Sequence, residues 1–205
     1  MSIYDADEEQ QVEAIKDWWA ANGKAVIIGV VIGIGGIIGW RYYQDSITAE
    51  QEAASHGYNA LISNLEAKGL SAEKTTQEFI TANDKTSYAV LASLQLAKAQ
   101  IDANKLDDAL TQLKWAKLHA KDETLLPIIS YRIARVLAAQ AQYDAAIKEV
   151  STVKSEAWKA RNQELLGDIN LLKGDKEAAQ KAYIQAQQDG SQNQALQMKI
   201  DDLAK

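Results

Sequence analysis

The sequence predicts an all-α protein in which a single transmembrane helix is followed by a helical solenoid with a C-terminal capping helix. Three observations lead there. The chain of 205 residues holds one proline and one phenylalanine and is rich in Ala, Leu, Gln and Lys, which lose little side-chain freedom in a helix. The sixteen residues from Ala25 to Trp40 (AVIIGVVIGIGGIIGW) carry no charged side chain between Lys24 and Arg41. Beyond them, small and large apolar residues recur with a period near 34, the signature of stacked helical units.

Residues 1–24 form an acidic tail, in which Asp5, Asp7, Glu8, Glu9, Glu13 and Asp17 outnumber Lys16 and Lys24. The apolar core, 25–40, covers roughly 24 Å at about 1.5 Å per residue, less than the roughly 30 Å hydrocarbon layer. Its flanks extend it. Trp18 and Trp19 on one side, and Trp40, Tyr42 and Tyr43 on the other, are amphipathic rings suited to the two headgroup layers. Lys24 and Arg41 can carry their charges outward along aliphatic stems, so the usable helix runs from residue 18 to 43. A cleaved signal peptide would begin with a basic stretch and end at a small-x-small site. This segment begins acidic and exits into Trp-Arg-Tyr-Tyr, so an uncleaved anchor is expected. Lys16 and Lys24 against Arg41 favour a cytoplasmic N-terminus and a translocated C-terminal domain, 44–205. Gly29 with Gly33, and Gly35 with Gly39, are spaced four apart, which lets helices approach closely in lipid, where packing replaces the hydrophobic effect.

In the C-terminal domain, Thr75, Ala109, Ala146 and Ala179 recur at separations of 34, 37 and 33. Each is followed four residues later by a bulkier apolar residue (Phe79, Leu113, Val150, Tyr183) and three further on by Ala82, Ala116, Val153 and Ala186. Upstream stand Ile62-Ser63, Leu96-Ala97, Ile133-Ala134 and Leu166-Gly167, each a large residue followed by a small one. This is the tetratricopeptide pattern, in which paired helices approach closely at the small residues and the larger neighbours fill the groove. Turn signals at Lys68-Gly69, Asn83-Asp84, Ala103-Asn104, Lys173-Gly174-Asp175 and Asp189-Gly190 agree with this phasing. Thr124 is the expected N-cap of a helix whose first turn holds Pro127, where the missing N–H costs little. The segment from Asn193 to Leu203 reads as the capping helix. The first leading helix is expected to continue from the membrane through Gln44 to Ala67.

Composition excludes several functions. A net charge of −6 argues against nucleic-acid binding, which needs a basic footprint. With no cysteine, disulfides, thiol nucleophiles and thiolate metal sites are excluded. The two histidines, His56 and His119, lie far apart outside any metal-ligand spacing and read as surface residues. No phosphate-cradling glycine loop or nucleophile elbow is present, and Asp107-Asp108 and Asp201-Asp202 read as solvated helix ends. No cofactor and no enzymatic activity are expected. Repeat scaffolds instead bind through their leading helices. Extrapolating the register places Leu91, Leu94, Lys98, Ile128, Tyr131, Arg135, Arg161, Glu164 and Asp168 on that face, a surface apolar toward one end and charged toward the other. Such a face suits an unfolded or extended peptide.

The stretches SIYDADEEQQVEAIKDWWAANGK, the Gly-rich anchor ending in GWRYY, SYAVLASLQLAKAQIDANKLDDALTQL, YRIARVLAAQ, GDINLLKGDKEAAQKAY and MKIDDL resemble the ancillary SecYEG translocon subunits of Gram-negative bacteria, the YfgM type, over nearly the whole chain. The resemblance implies a single-pass inner-membrane protein with a cytoplasmic N-terminus and a periplasmic tetratricopeptide-like domain. It further implies association with the SecYEG translocon and with a membrane-anchored periplasmic chaperone of the peptidyl-prolyl isomerase class. The implied role is the transfer of translocated client proteins to periplasmic chaperones, without catalysis. An alternative from a different class is a membrane-tethered regulator. In that reading the acidic tail, with Val12, Ile15 and Trp19 on one helical face, restrains a cytoplasmic signalling factor.

Overall fold

The computed structural model describes residues 3–191 and 193–203, with side chains described from residue 11 onward. The acidic side chains of Asp5, Asp7, Glu8 and Glu9 lie outside the described residues. Every regular element among the described residues is helical: α1 (Ile3–Lys68), α2 (Glu73–Ala82), α3 (Ser87–Asp102), α4 (Leu106–His119), α5 (Leu126–Ala139), α6 (Tyr143–Ser151), α7 (Lys159–Lys173), α8 (Lys176–Gln188) and α9 (Gln194–Leu203). Short 3-10 turns at Gly69–Ala72, Glu123–Leu125 and Glu156–Trp158 precede α2, α5 and α7. The chain divides into two compact units, one ending at Glu52 and one beginning at Ala53.

In the first unit, α1 is the one helix among the described residues long and apolar enough to cross a membrane. Val31, Ile32, Ile37 and Ile38 are each more than 60% exposed (64, 69, 62 and 62%). An aliphatic surface this continuous is unfavourable in water and is suited to an apolar solvent. Trp18, Trp19, Trp40, Tyr42 and Tyr43 also project outward. A Cβ added at Gly29, Gly33, Gly35 or Gly39 would meet no atom within 4 Å, and the same holds at Gly36. Gly36, seven residues after Gly29, extends the face that Gly29 and Gly33 share.

The second unit is a stack of helix hairpins. α3 packs with α4, α5 with α6 and α7 with α8, while α4 meets α5 and α6 meets α7. Ala97, Ala109, Ala116, Ala134 and Ala146 have no exposed surface, so backbones meet closely there and Leu113, Ile129, Ile133, Val150 and Ile169 fill the space between. Polar ties repeat with the stack. Gln112 Nε2 donates to Gln77 Oε1 (2.6 Å), Lys117 Nζ to Glu149 Oε1 (2.6 Å) and Gln140 Nε2 to Asp107 Oδ1 (2.7 Å), joining residues 35, 32 and 33 apart. The last hairpin is closed by α9, whose Leu196 is buried against Ala179, Tyr183 and Ala186. An all-α solenoid with a capping helix is therefore the observed fold.

The expected register holds for three of the four hairpins and slips by one residue in the first. Thr75 is exposed, whereas Thr76 and Ile80 are fully buried. Likewise Leu61 and Leu65 enter the core, while Ser63 is exposed. The cause lies in the Gly69–Ala72 turn, whose tighter winding rotates the start of α2 so that Ala72 and Thr76 face inward. The Thr76 hydroxyl donates to the Ala72 carbonyl at 2.8 Å, which lets a threonine stand where later repeats carry alanine.

The helix ends correct one further expectation. Thr124 does not cap α5, which starts from Leu125 with no side-chain cap; the capping carboxylate is that of Asp122, at the head of the preceding 3-10 turn, where its Oδ1 accepts from the Thr124 N–H at 2.9 Å and the Thr124 hydroxyl at 2.6 Å. Pro127 does sit in the first turn of α5. Asn104 (φ 60°) and Gly174 (φ 89°) make left-handed turns where the sequence signals them. Ala141 does the same at φ 60° between α5 and α6, unsignalled because alanine ordinarily avoids that region.

Candidate functional site

Of the grooves along the leading helices α3, α5 and α7, two gather the expected face residues. The first, of about 370 Å³, is lined by α3, α4 and α5. Its floor is apolar, from the buried Leu94, Leu113 and Val136 and the partly exposed Ile101 and Leu106, and its polar lining comes from Lys98, Asp102, Arg132 and Arg135. Lys98 Nζ lies 3.1 Å from Asp102 Oδ2, one turn along α3.

The second groove, of about 520 Å³, is lined by Tyr131 of α5, Trp158, the α7 residues Arg161, Glu164 and Asp168, and Ser191 and Asn193 ahead of α9. The Tyr131 and Trp158 rings sit 5.8 Å apart at 55°. The Arg161 guanidinium lies 5.1 Å from the Trp158 ring centre, a cation–π distance. This arrangement offers an apolar side chain two aromatic surfaces, with a cation beside them.

Several residues expected on the leading-helix face converge here, and several do not. Leu94, Lys98 and Arg135 line the first groove, and Tyr131, Arg161, Glu164 and Asp168 the second. Leu94 is not an exposed side chain as expected: it is 7% accessible and belongs to the central core. Leu91 and Ile128 are half-buried and line neither groove. Two groove residues stand outside the repeat register. Trp158 sits in a turn rather than at a repeat position, and its only signal was Arg161 three residues on. Arg132 lies three residues before Arg135, at a position the repeat register does not assign to the binding face.

Glu164 and Asp168 are already engaged. Lys199 of α9 reaches Glu164 Oε1 at 3.1 Å and Asp168 Oδ1 at 2.7 Å, and the Tyr183 hydroxyl donates to Asp168 Oδ1 at 2.7 Å. Burial and the neighbouring Asp168 push the Tyr183 phenol well above its ordinary pKa, so it remains a donor. Burial alone would lower the Lys199 ammonium, but the bonds to Asp168 and Glu164 outweigh it and hold the pKa above its usual value. These carboxylates serve first to fasten α9 onto α7. Among the described residues lining this groove, Arg161 is the cation without an ion-pair partner.

The histidines play no part in either groove. His56 is exposed. His119 departs from the expected surface position: it is half-buried, stacked 4.0 Å from the Trp115 ring, with Nδ1 2.9 Å from the Trp115 carbonyl oxygen. Among the described residues no group of three or more His, Cys, Asp or Glu side chains could hold a metal ion.

Residues 16–205 match the family model described as a tetratricopeptide repeat-like domain. Among solved structures, MamA 41-end from Desulfovibrio magneticus RS-1 superposes with a TM-score of 0.59 at 18% identity, covering 73% of this chain and 82% of that one. The class is thus a tetratricopeptide-like helical scaffold. Proteins named ancillary SecYEG translocon subunit are similar over their full length: 38% identity to that of Escherichia coli K12 (100% of each chain), 37% to that of Haemophilus influenzae (98% of this chain, 99% of the relative) and 36% to that of Aggregatibacter actinomycetemcomitans (98% and 99%). This chain belongs to the ancillary SecYEG translocon subunit family.

Proposed function

We propose that this protein is a single-pass inner-membrane subunit that associates with the SecYEG translocon and passes translocated proteins to periplasmic chaperones. One of these is a membrane-anchored chaperone of the peptidyl-prolyl isomerase class. In this reading residues 1–24 are a cytoplasmic tail, 25–40 the membrane span with Gly29, Gly33, Gly35 and Gly39 meeting a neighbouring helix, and 44–205 the periplasmic repeat domain. The second groove carries the reading: Tyr131, Trp158 and Arg161 converge on an open surface that an extended chain can occupy. Its chemistry is binding, not turnover. Tethering confines the domain near the channel exit and raises its effective concentration there, so weak contacts suffice.

The test is photocrosslinking in native membranes from a probe at Tyr131 and another at Gly33. Translocating chains or chaperones are expected from the first, and translocon subunits from the second. Tyr131→Ala combined with Arg161→Ala should reduce client capture several-fold, since aromatic and arginine anchors dominate such surfaces. Unchanged capture by the folded double variant removes this groove from the mechanism. A fusion at the C-terminus that is active only in the cytoplasm overturns the orientation.

A further inference from the structure

The first groove differs from the second in one respect that bears on its ligand. Arg132 and Arg135 lie three residues apart on α5, where like charges are neighbours and destabilise the helix slightly. Neither has a hydrogen-bond or ion-pair partner among the described residues. Lys98 and Asp102 neutralise one another, so the groove carries two uncompensated positive charges in a protein of net charge −6. Beneath them lies an apolar floor built from Leu94, Leu113 and Val136, with Ile101 and Leu106 at its side. Its volume, about 370 Å³, suits one or two aliphatic side chains. Arginine presents a planar fork that pairs with carboxylates through two hydrogen bonds.

We infer that the groove between α3 and α5 binds a partner protein through an acidic peptide segment, its leucine-type side chains on the apolar floor and its carboxylates on Arg132 and Arg135. The inference rests on the repeat domain being a peptide-binding module, but not on which complex the protein joins. It adds Arg132 to the binding face and assigns the two grooves different ligands.

The experiment uses the full-length chain in detergent micelles and a fluorescein-labelled ten-residue peptide with two leucines flanked by aspartates. A twin carries lysines in place of the aspartates. Fluorescence anisotropy should show the acidic peptide binding at least about tenfold more tightly than its twin, and weakening as salt rises. Arg132→Gln with Arg135→Gln should abolish that preference, while Tyr131→Ala with Arg161→Ala leaves it intact. Ala139→Phe, which fills the groove without altering charge, should weaken the peptide by a similar factor. Equal binding of both peptides overturns the inference, as does unchanged affinity in the arginine double variant. Displacement by phosphatidylglycerol vesicles but not by unlabelled acidic peptide overturns it in favour of a lipid site. Translocon capture from Gly33, measured in the same double variant, separates the two readings: intact capture with lost peptide binding supports the groove assignment. Lost capture with intact peptide binding overturns it.

Discussion

The first and last hairpins of the solenoid solve the same packing problem with different tolerances. In the last, Gly167 of α7 meets the ring of Tyr183, sixteen residues on; a Cβ there would lie 2.3 Å from ring carbons of a side chain with no exposed surface. In the first, Gly57 of α1 meets Phe79, where a Cβ would lie 2.8 Å from one ring carbon of a half-exposed side chain. The glycine of the last hairpin sits in the repeat register and that of the first does not, because α1 enters as one long helix and α2 starts after a 3-10 turn. Where the ring is locked the repeat rule is strict, and where it can swing outward the rule relaxes.

Four measurements test this contrast, each by thermal or denaturant melts of the full chain in detergent. Gly167→Ala is expected to have the largest effect, destabilising by about 3 kcal/mol because Tyr183 cannot retreat. A loss below about 1 kcal/mol would show that the last hairpin is as yielding as the first. Tyr183→Phe removes the donor to Asp168 and should cost about 1–2 kcal/mol, with faster proteolysis at α9 as its local signature. Its failure to loosen α9 would mean that the Lys199 ion pairs and the burial of Leu196 fasten the cap without the phenol hydroxyl.

Gly57→Ala should fall within about 1 kcal/mol of the parent, since the helix propensity gained offsets a ring shift. A loss matching that of Gly167→Ala would erase the distinction. The smallest effect is the acid response of the first hairpin. Glu73 accepts from Gln100 at 2.6 Å and Lys105 at 3.2 Å, and the Gln100 bond in particular lowers its carboxyl below the ordinary value of 4.5. A depressed folded-state pKa means that its stabilisation is complete above about pH 4.5 and lost as pH falls through the lowered value. Solvent screening keeps the amount near 0.5 kcal/mol. Glu73→Gln should flatten that acid slope, and an unchanged slope would place it on other carboxylates.

Much of this architecture was legible in the residues. The alanines at 109, 146 and 179 and the aliphatic or aromatic residues four positions later were readable because close helix approach accepts only small side chains at a fixed offset. The first hairpin was misread by one position because Thr75 and Thr76 are chemically identical in sequence. Only the turn before α2 decides which of them faces inward. The candidate surface was half legible. Tyr131, Lys98, Arg135 and Arg161 follow from counting along leading helices, but Trp158 and Arg132 fall outside that count.

Composition and local periodicity suffice to specify the apolar helix, the helical repeat and the lack of thiols, since each follows from residue content or from spacings set by local backbone geometry. Tertiary structure alone decided which carboxylates and cations remain available. Glu164 and Asp168 are consumed by Lys199, thirty-five and thirty-one residues away, whereas Arg132 and Arg135 are left uncompensated beside an apolar floor. Whether a charge is spent or free depends on partners brought together by packing, and no local pattern encodes that distance.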